Sequence, residues 1–482
     1  MNTWSSGNNE AGAARLHDTA LDRTEPGAVS IPLPVTIRLH DTALDRTEPG
    51  AVSIPLPVTI RVVAICLAMI LAEGYDVAIY GAVLPMLTHG TNWSLSPFQL
   101  GAIASCSLAG MMIGAMCAGT VSDLIGRRWV LLGSVALFSA MMAAAALAPT
   151  PTVFVVARVV GGLGLGGVVP TAAALTVEYS PPHRRSFNYA LIYTGYSLGG
   201  ILVALLAIAW LPTHGWRWLF GLGALPLLLV LAAGPSLPES IDFLIARKRF
   251  DEARSLARAL RIRHAWLENE CGGDAVRIAE KSAPAPVRSL FDRSFIHATL
   301  AFWLAMFMGL LLLYGLSTWL PQLMRKAGYP LGSSLALLMT LNLAAALGSL
   351  SGGALADRIG SKRVVSVLYL LAAASLCALP FAHGVVLTYV LVSIAGVGTI
   401  GNTMLLGAYI TQYYPPHSRA TGIGWALGIG RFGAIAGPLI GGVLAQWDVV
   451  LAWNFFVFAA AGLLAAIAVL MVPGNRTRPI RD

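Results

Sequence analysis

The sequence predicts an all-α polytopic membrane protein: twelve transmembrane helices in two pseudo-symmetric six-helix bundles. Charge content, the lengths of the apolar runs and a loop motif that occurs twice carry that expectation. Of 482 residues, 56% are hydrophobic and only 11% charged, with a mean hydropathy of +0.72; soluble domains carry about 25% charged residues. Fifty glycines, spread through the apolar runs, suit helices that approach closely in lipid. Windows of about twenty apolar residues fall at 62–87, 99–121, 129–148, 152–177, 187–211, 217–236, 299–323, 334–356, 364–382, 385–413, 420–446 and 450–472.

Placing the amino terminus in the cytoplasm puts all but five of the 32 Lys and Arg on the inner side. Arg217, Arg325 and Lys326 fall outside, and Arg158 and Arg431 within spans. Such asymmetry sets orientation, so both termini are expected in the cytoplasm of a cell whose inner (plasma) membrane holds the protein. The net charge of +9 is therefore a topology signal and not a nucleic-acid footprint. Cys66, Cys106, Cys117 and Cys377 fall in spans and Cys271 in an inner loop, unsuited to an oxidised framework. No His/Cys cluster has metal-ligand spacing, and no nucleophile–base set suggests an enzyme. No metal and no cofactor is expected.

Residues 1–60 are expected to be a disordered cytoplasmic tail, polar and proline-bearing. Within them the 23 residues Arg15–Ile37 recur unchanged as Arg38–Ile60; two identical copies indicate a duplicated coding stretch, since repeat architectures drift over three or more units. The first bundle is expected over 61–236, a cytoplasmic linker over 237–298, the second bundle over 299–472 and a short tail over 473–482.

The first span carries Glu73, Asp76 and Tyr80 on one helix face. A charge near the bilayer centre costs roughly 2.5–3.5 kcal/mol on insertion scales and usually marks a polar pathway. The alternative is a pair of acids that only braces the bundle. After the second span comes Gly119-Thr-Val-Ser-Asp123-Leu-Ile-Gly126-Arg127-Arg128, and after the eighth Gly353-Ala-Leu-Ala-Asp357-Arg358-Ile-Gly360-Ser-Lys362-Arg363. The same pattern in the same inner loop of each half indicates an internal repeat. Together with twelve spans and a long central inner loop, these gating loops resemble the major facilitator superfamily. The first copy departs from that pattern at Leu124, where a basic residue is common.

The fourth span has Arg158 and then closely spaced glycines from Gly161 to Gly167, a flat packing face. Tyr193, Tyr196 and Ser197 of the fifth suit a cavity wall. Arg249–Arg263 reads as an amphipathic helix on the inner membrane face. The seventh span offers Tyr314, Ser317, Thr318, Trp319 and Gln322, a face able to meet an aromatic ring. Trp319 reads equally as an interface-belt residue. Asn342 of the eighth span and Asn402 of the tenth are further polar positions, and Arg431 lies about twelve residues into the eleventh, near mid-membrane.

The ionisable groups well inside the spans are thus Glu73, Asp76, Arg158 and Arg431. Arginine does not deprotonate in proteins, so a coupled proton must ride on Glu73 or Asp76. The two arginines suit a carboxylate substrate.

Four separated stretches sharpen the resemblance: E-G-Y-D-x-x-x-Y-G-x-x-x-P from Glu73, L-P-E-S-I-x-F-L from Leu237, Y-G-L-S-T-W-L-P from Tyr314, and R-A-T-G-I-G-W-A-L-G-I-G-R from Arg419. Together they are similar to the aromatic acid:proton symporter family over essentially residues 61–472. That resemblance implies proton symport of a benzoate- or hydroxybenzoate-like acid by alternating access. Glu73 and Asp76 would couple protons. Tyr80, Arg158, Tyr196, Tyr314, Trp319, Asn342 and Arg431 would line the substrate site. The implied partners are a small aromatic carboxylate, protons and the lipid bilayer, around a monomer. A proton-coupled exporter of drugs or metabolites is the alternative; Gly433–Gly442 resembles an antiporter motif but lies in the eleventh span, not the fifth. A membrane sensor on the same fold has no appended output domain to support it.

Overall fold

A computed structural model describes residues 54–89, 93–262, 287–415 and 418–473. The repeat copy Arg15–Ile37, the linker prolines Pro284 and Pro286, Cys271 and the carboxy-terminal arginines lie outside the described residues. No strand occurs among those described.

The helices follow in chain order: α1 Leu56–His89, α2 Pro97–Ile125, α3 Arg127–Ala146, α4 Pro151–Glu178, α5 Arg185–Leu222 and α6 Pro226–Ala233. Short helices Ile241–Ala246 and Phe250–Ala259 follow on the linker. The second half comprises α7 Ile296–Lys326, α8 Leu331–Ile359, α9 Ser361–Ala378, α10 Val385–Tyr413, α11 Arg419–Gln446 and α12 Leu451–Met471. Eleven helical runs are long and apolar enough to cross a membrane, one of them spanning Pro182–Ser236. That run is broken at Gly215, whose φ of +76° is not helical. It therefore supplies the fifth and sixth crossings, and twelve helices are accounted for.

Local chemistry explains several ends. Ser96 and Gln99 form a capping box at the start of α2, with Pro97 in the first turn where its missing N–H costs nothing. At α4 Thr150 alone caps, accepting from the Val153 N–H, with Pro151 in the first turn. Gly126 and Gly360, matching positions of the two repeated loops, have φ of +104° and +94°. Both turns use a backbone region that side chains disfavour. The first helix starts at Leu56, ahead of the expected 62, because Val58, Thr59 and Val62 bury a face there. The linker helix ends at Ala259, short of the expected Arg263.

In the first half α1 packs on α5 and α2 on α4; in the second α7 packs on α11 and α8 on α10. The halves meet through α2 with α11, α5 with α8 and α1 with α7. At one end the α2–α11 seam is tight: Gly101 lies against Pro438 and Gly442, and Ser105 Oγ donates to the Ile435 carbonyl at 2.7 Å. Toward the other end, a side chain at Gly119, Gly424 or Gly428 would meet open space. The halves are thus in close backbone contact at the start of α2, and these glycines make no such approach toward the other end.

The tenth crossing carries a π turn at Val397–Gly401 that the apolar pattern does not announce. Beside it Asn402 turns into the second bundle, its Nδ2 donating to the Val365 carbonyl at 3.0 Å.

Candidate functional site

Two acids of α1, one arginine of α4 and one of α11 gather where the halves meet. On α1, Gly74 brings the backbone of α5 at Tyr196 into contact, and Tyr75 ties α1 to the sixth crossing by donating to the Leu219 carbonyl at 2.8 Å. The helix is thus held on both flanks, which fixes the direction of Glu73 and Asp76.

Asp76 is ion-paired with Arg158 of α4, their side chains only 2% and 6% exposed. The guanidinium is further confined by Met142 Sδ at 3.7 Å and by the Phe220 ring, 5.7 Å from its centre. A buried pair of this kind is stable as a pair and costly to split.

Glu73, one turn earlier, is fully buried, and neither of its carboxyl oxygens has a hydrogen-bond partner among the described residues. The charged groups whose fields act on it are Arg431 and Asp76. Arg431 of α11 crosses between halves: its Nη1 lies 3.3 Å from Met111 Sδ of α2 and 3.4 Å from the Tyr314 hydroxyl of α7. Tyr196 is in reach of Tyr314, and both Tyr193 and Tyr196 feel Glu73 and Arg431. Its contacts are to a thioether and a hydroxyl, and among the described residues Arg431 pairs with no carboxylate.

The other expected site residues serve as braces. Tyr80 donates its hydroxyl to the Leu100 carbonyl of α2 at 2.7 Å. Trp319 donates Nε1 to the Pro438 carbonyl of α11 at 2.9 Å. Asn342 donates Nδ2 to Leu338 of its own helix at 2.9 Å and abuts Gly200 of α5.

At the open end, the first repeated loop is clasped by acids. Arg127 pairs with Glu178 at 2.8 Å. The other Glu178 oxygen accepts from the main-chain N–H of Ile241 and Asp242 at 2.6 and 3.1 Å. Arg128 donates its backbone N–H to Glu239 at 3.0 Å and its guanidinium to the Gly234 carbonyl at 2.7 Å. Tyr179 donates to the Glu239 carbonyl at 2.5 Å, and burial together with the adjoining acids raises its phenol above the ordinary value. Arg247 reaches Asp123 through the main-chain carbonyl, at 2.6 and 3.0 Å, and not through the carboxylate. In the second loop Asp357 and Arg358 are exposed, and Lys362 bonds the Val472 carbonyl at 2.6 Å.

Comparison with known proteins decides the family. A family model described as Major Facilitator Superfamily matches residues 66–346 and 333–481. The chain belongs to the major facilitator superfamily. A benzoate transport protein of Acinetobacter baylyi is 36% identical over 426 residues, covering 86% of this chain and 90% of the relative. A gentisate transporter of Corynebacterium glutamicum is 35% identical, covering 83% and 84%. A gallate transporter of Pseudomonas putida is 35% identical, covering 85% and 90%. An inward-open structure of the E. coli xylose transporter XylE is similar in fold alone, with a TM-score of 0.68 at 18% identity, covering 87% of this chain and 98% of that one. This major facilitator protein is a multi-pass membrane transporter and not an enzyme.

For this transporter, sequence reasoning brought forward Glu73, Asp76, Arg158, Tyr196, Tyr314 and Arg431, which the fold gathers. It gave no role to Met111, Glu178 or Glu239. The two glutamates had a signal: each is an acid at a span end beside a basic turn. Met111 had none, because an apolar residue in an apolar helix carries no mark of the cation across the seam.

Proposed function

We propose that this transporter carries an aromatic carboxylate, benzoate- or hydroxybenzoate-like, into the cell together with a proton, by rocking of its halves. The relatives' names support the substrate class. The surplus of Lys and Arg supports an orientation in which the parted ends face the cytoplasm. The conformation is then inward-facing.

The observation that carries the coupling is the unpartnered Glu73 within the field of Arg431, with Asp76 and Arg158 already closed on each other. With both acids ionised, the four groups sum to zero charge. A substrate carboxylate on Arg431 would leave one negative charge in excess in a low-dielectric site, where an uncompensated charge is expensive. A proton on Glu73 restores neutrality. The substrate anion and the Glu73 anion thus compete for one cation, so loading the site shifts Glu73 further toward the neutral acid than it stands in the empty site. One proton accompanies each monocarboxylate. Tyr196 and Tyr314 offer ring faces and hydroxyls to the aromatic ring.

The test is uptake of radiolabelled aromatic acids into proteoliposomes under an imposed pH gradient, with and without an uncoupler. Accumulation that collapses with the uncoupler is expected for at least one such acid. A panel in which none accumulates would overturn the reading.

A further inference from the structure

Between the central site and the open end, α5 presents Tyr196, Tyr193 and Tyr189 on one face, over about 10 Å of helix rise. Tyr196 is the rung in reach of Tyr314. Tyr189 packs on Tyr193 with ring centroids 4.8 Å apart, tilted by 43°, and donates its hydroxyl to that of Tyr193 at 3.2 Å. Tyr189 is 41% exposed and walls an open cavity of about 420 Å³ between α3, α4, α5 and the helix Ile241–Ala246, a volume within the range of small-molecule sites.

Four charged groups line that cavity: Arg127, Glu178, Arg185 and Asp242. Arg127 and Glu178 hold each other, and the second Glu178 oxygen is taken by two backbone N–H groups. Arg185 donates Nε to the Ser180 carbonyl at 3.3 Å, and its terminal nitrogens have no partner among the described residues. A cation with free donors thus stands four residues, one helical turn, from an exposed phenol ring. That pairing matches both ends of an aromatic carboxylate. Asp242 in the same wall opposes an anion, which keeps affinity low.

We propose that this cavity is a second, weak aromatic-carboxylate subsite, with the carboxylate on Arg185 and the ring against Tyr189, joined to the central site by the tyrosine ladder. The assignment rests on the aromatic-acid reading above. An aromatic ring that leaves the central site directly for water loses its apolar contacts in one step. Successive rings on one helix face divide that loss into smaller ones, and low affinity at the last rung lets the acid go.

Transport kinetics in proteoliposomes test it, with wild type, Tyr189→Ala, Tyr189→Phe and Arg185→Gln and labelled benzoate. Both positions are exposed, so the variants leave no buried cavity, and each is first checked for monodispersity. Tyr189→Ala and Arg185→Gln are expected to lower the maximal rate about fivefold with the external KM within about twofold of wild type, and Tyr189→Phe to keep about half the rate or more. Wild-type rates in Tyr189→Ala would overturn the subsite. So would a raised KM at unchanged maximal rate, which assigns Tyr189 to first binding, or a Phe variant as slow as Ala, which assigns the effect to the hydroxyl bridge. Absence of aromatic-acid uptake by wild type is the separate failure of the parent reading and takes the subsite with it.

Discussion

Glu73 and Asp76 sit one turn apart on the same helix, equally hidden from solvent, and differ in what faces them. Asp76 meets a guanidinium held by a thioether and an aromatic ring. Glu73 meets no hydrogen-bond donor among the described residues, and Arg431, whose field acts on it, contacts a thioether across the seam and a hydroxyl of its own half. Burial is the same; partnership is not. In the proposed mechanism one acid belongs to the frame of the first half, and the other shares a cation with the second half, whose position changes when the halves rock. A carboxyl group can take up and release a proton in step with that motion only if its partner is not fixed. On that proposal a structural acid and a coupling acid stand side by side with no difference in sequence character.

The largest expected effect breaks the frame. Arg158→Ala leaves Asp76 as a buried anion with no counter-ion, and removing one partner of such a pair costs roughly 3–5 kcal/mol. A large fall in Tm in detergent and loss of every transport mode should follow. Asp76→Asn strands the Arg158 cation and should likewise abolish uptake and exchange together. If Asp76→Asn melts with wild type and still exchanges substrate, the assignment of Asp76 to the frame is wrong.

Next comes the shared cation. Arg431→Ala should bind benzoate about 10- to 100-fold more weakly, as the loss of a charge-assisted hydrogen bond of about 1.5–3 kcal/mol implies, with a Tm close to wild type. Isothermal titration on the folded variant measures it, and unchanged affinity would remove Arg431 from the site.

A smaller effect belongs to the clasp. Glu178→Gln removes the charge that holds Arg127, and should cost about 1–2 kcal/mol while leaving benzoate affinity near wild type. Thermal melting and binding on one sample separate the two. The smallest effect is at the rim: Lys326 and Asp448 pair at 2.6 Å with both side chains solvated. The ammonium holds the Asp448 carboxyl below its ordinary value, but screening leaves such pairs little to contribute. Asp448→Asn should match wild type in Tm and uptake rate.

Much of this was legible in the chain. The apolar runs gave the crossings, and Gly126 and Gly360 marked the repeat because both turns require positive φ. Rare charges in apolar helices pointed to Glu73, Asp76, Arg158 and Arg431, since only function or pairing tolerates them there. What the pattern does not hold is partnership. Nothing in the spacing says that Arg158 takes Asp76 and leaves Glu73, because that depends on how α4 and α11 approach α1. For the same reason Tyr80, Trp319 and Asn342 read as cavity residues: a polar atom on a helix face looks the same whether it points to a ligand or to a neighbouring carbonyl. The π turn at Val397–Gly401 was equally hidden, since an inserted residue does not disturb an all-round apolar run.

The most direct measurement is made on Glu73→Gln, which keeps shape and removes the titrating group where no partner is lost. Two assays on the same proteoliposomes are needed: counterflow of labelled benzoate with no gradient, and accumulation under an imposed pH gradient. Counterflow near the wild-type rate with no accumulation is the expected result. Accumulation to the wild-type level would contradict the account, because the proton would then be travelling on another group.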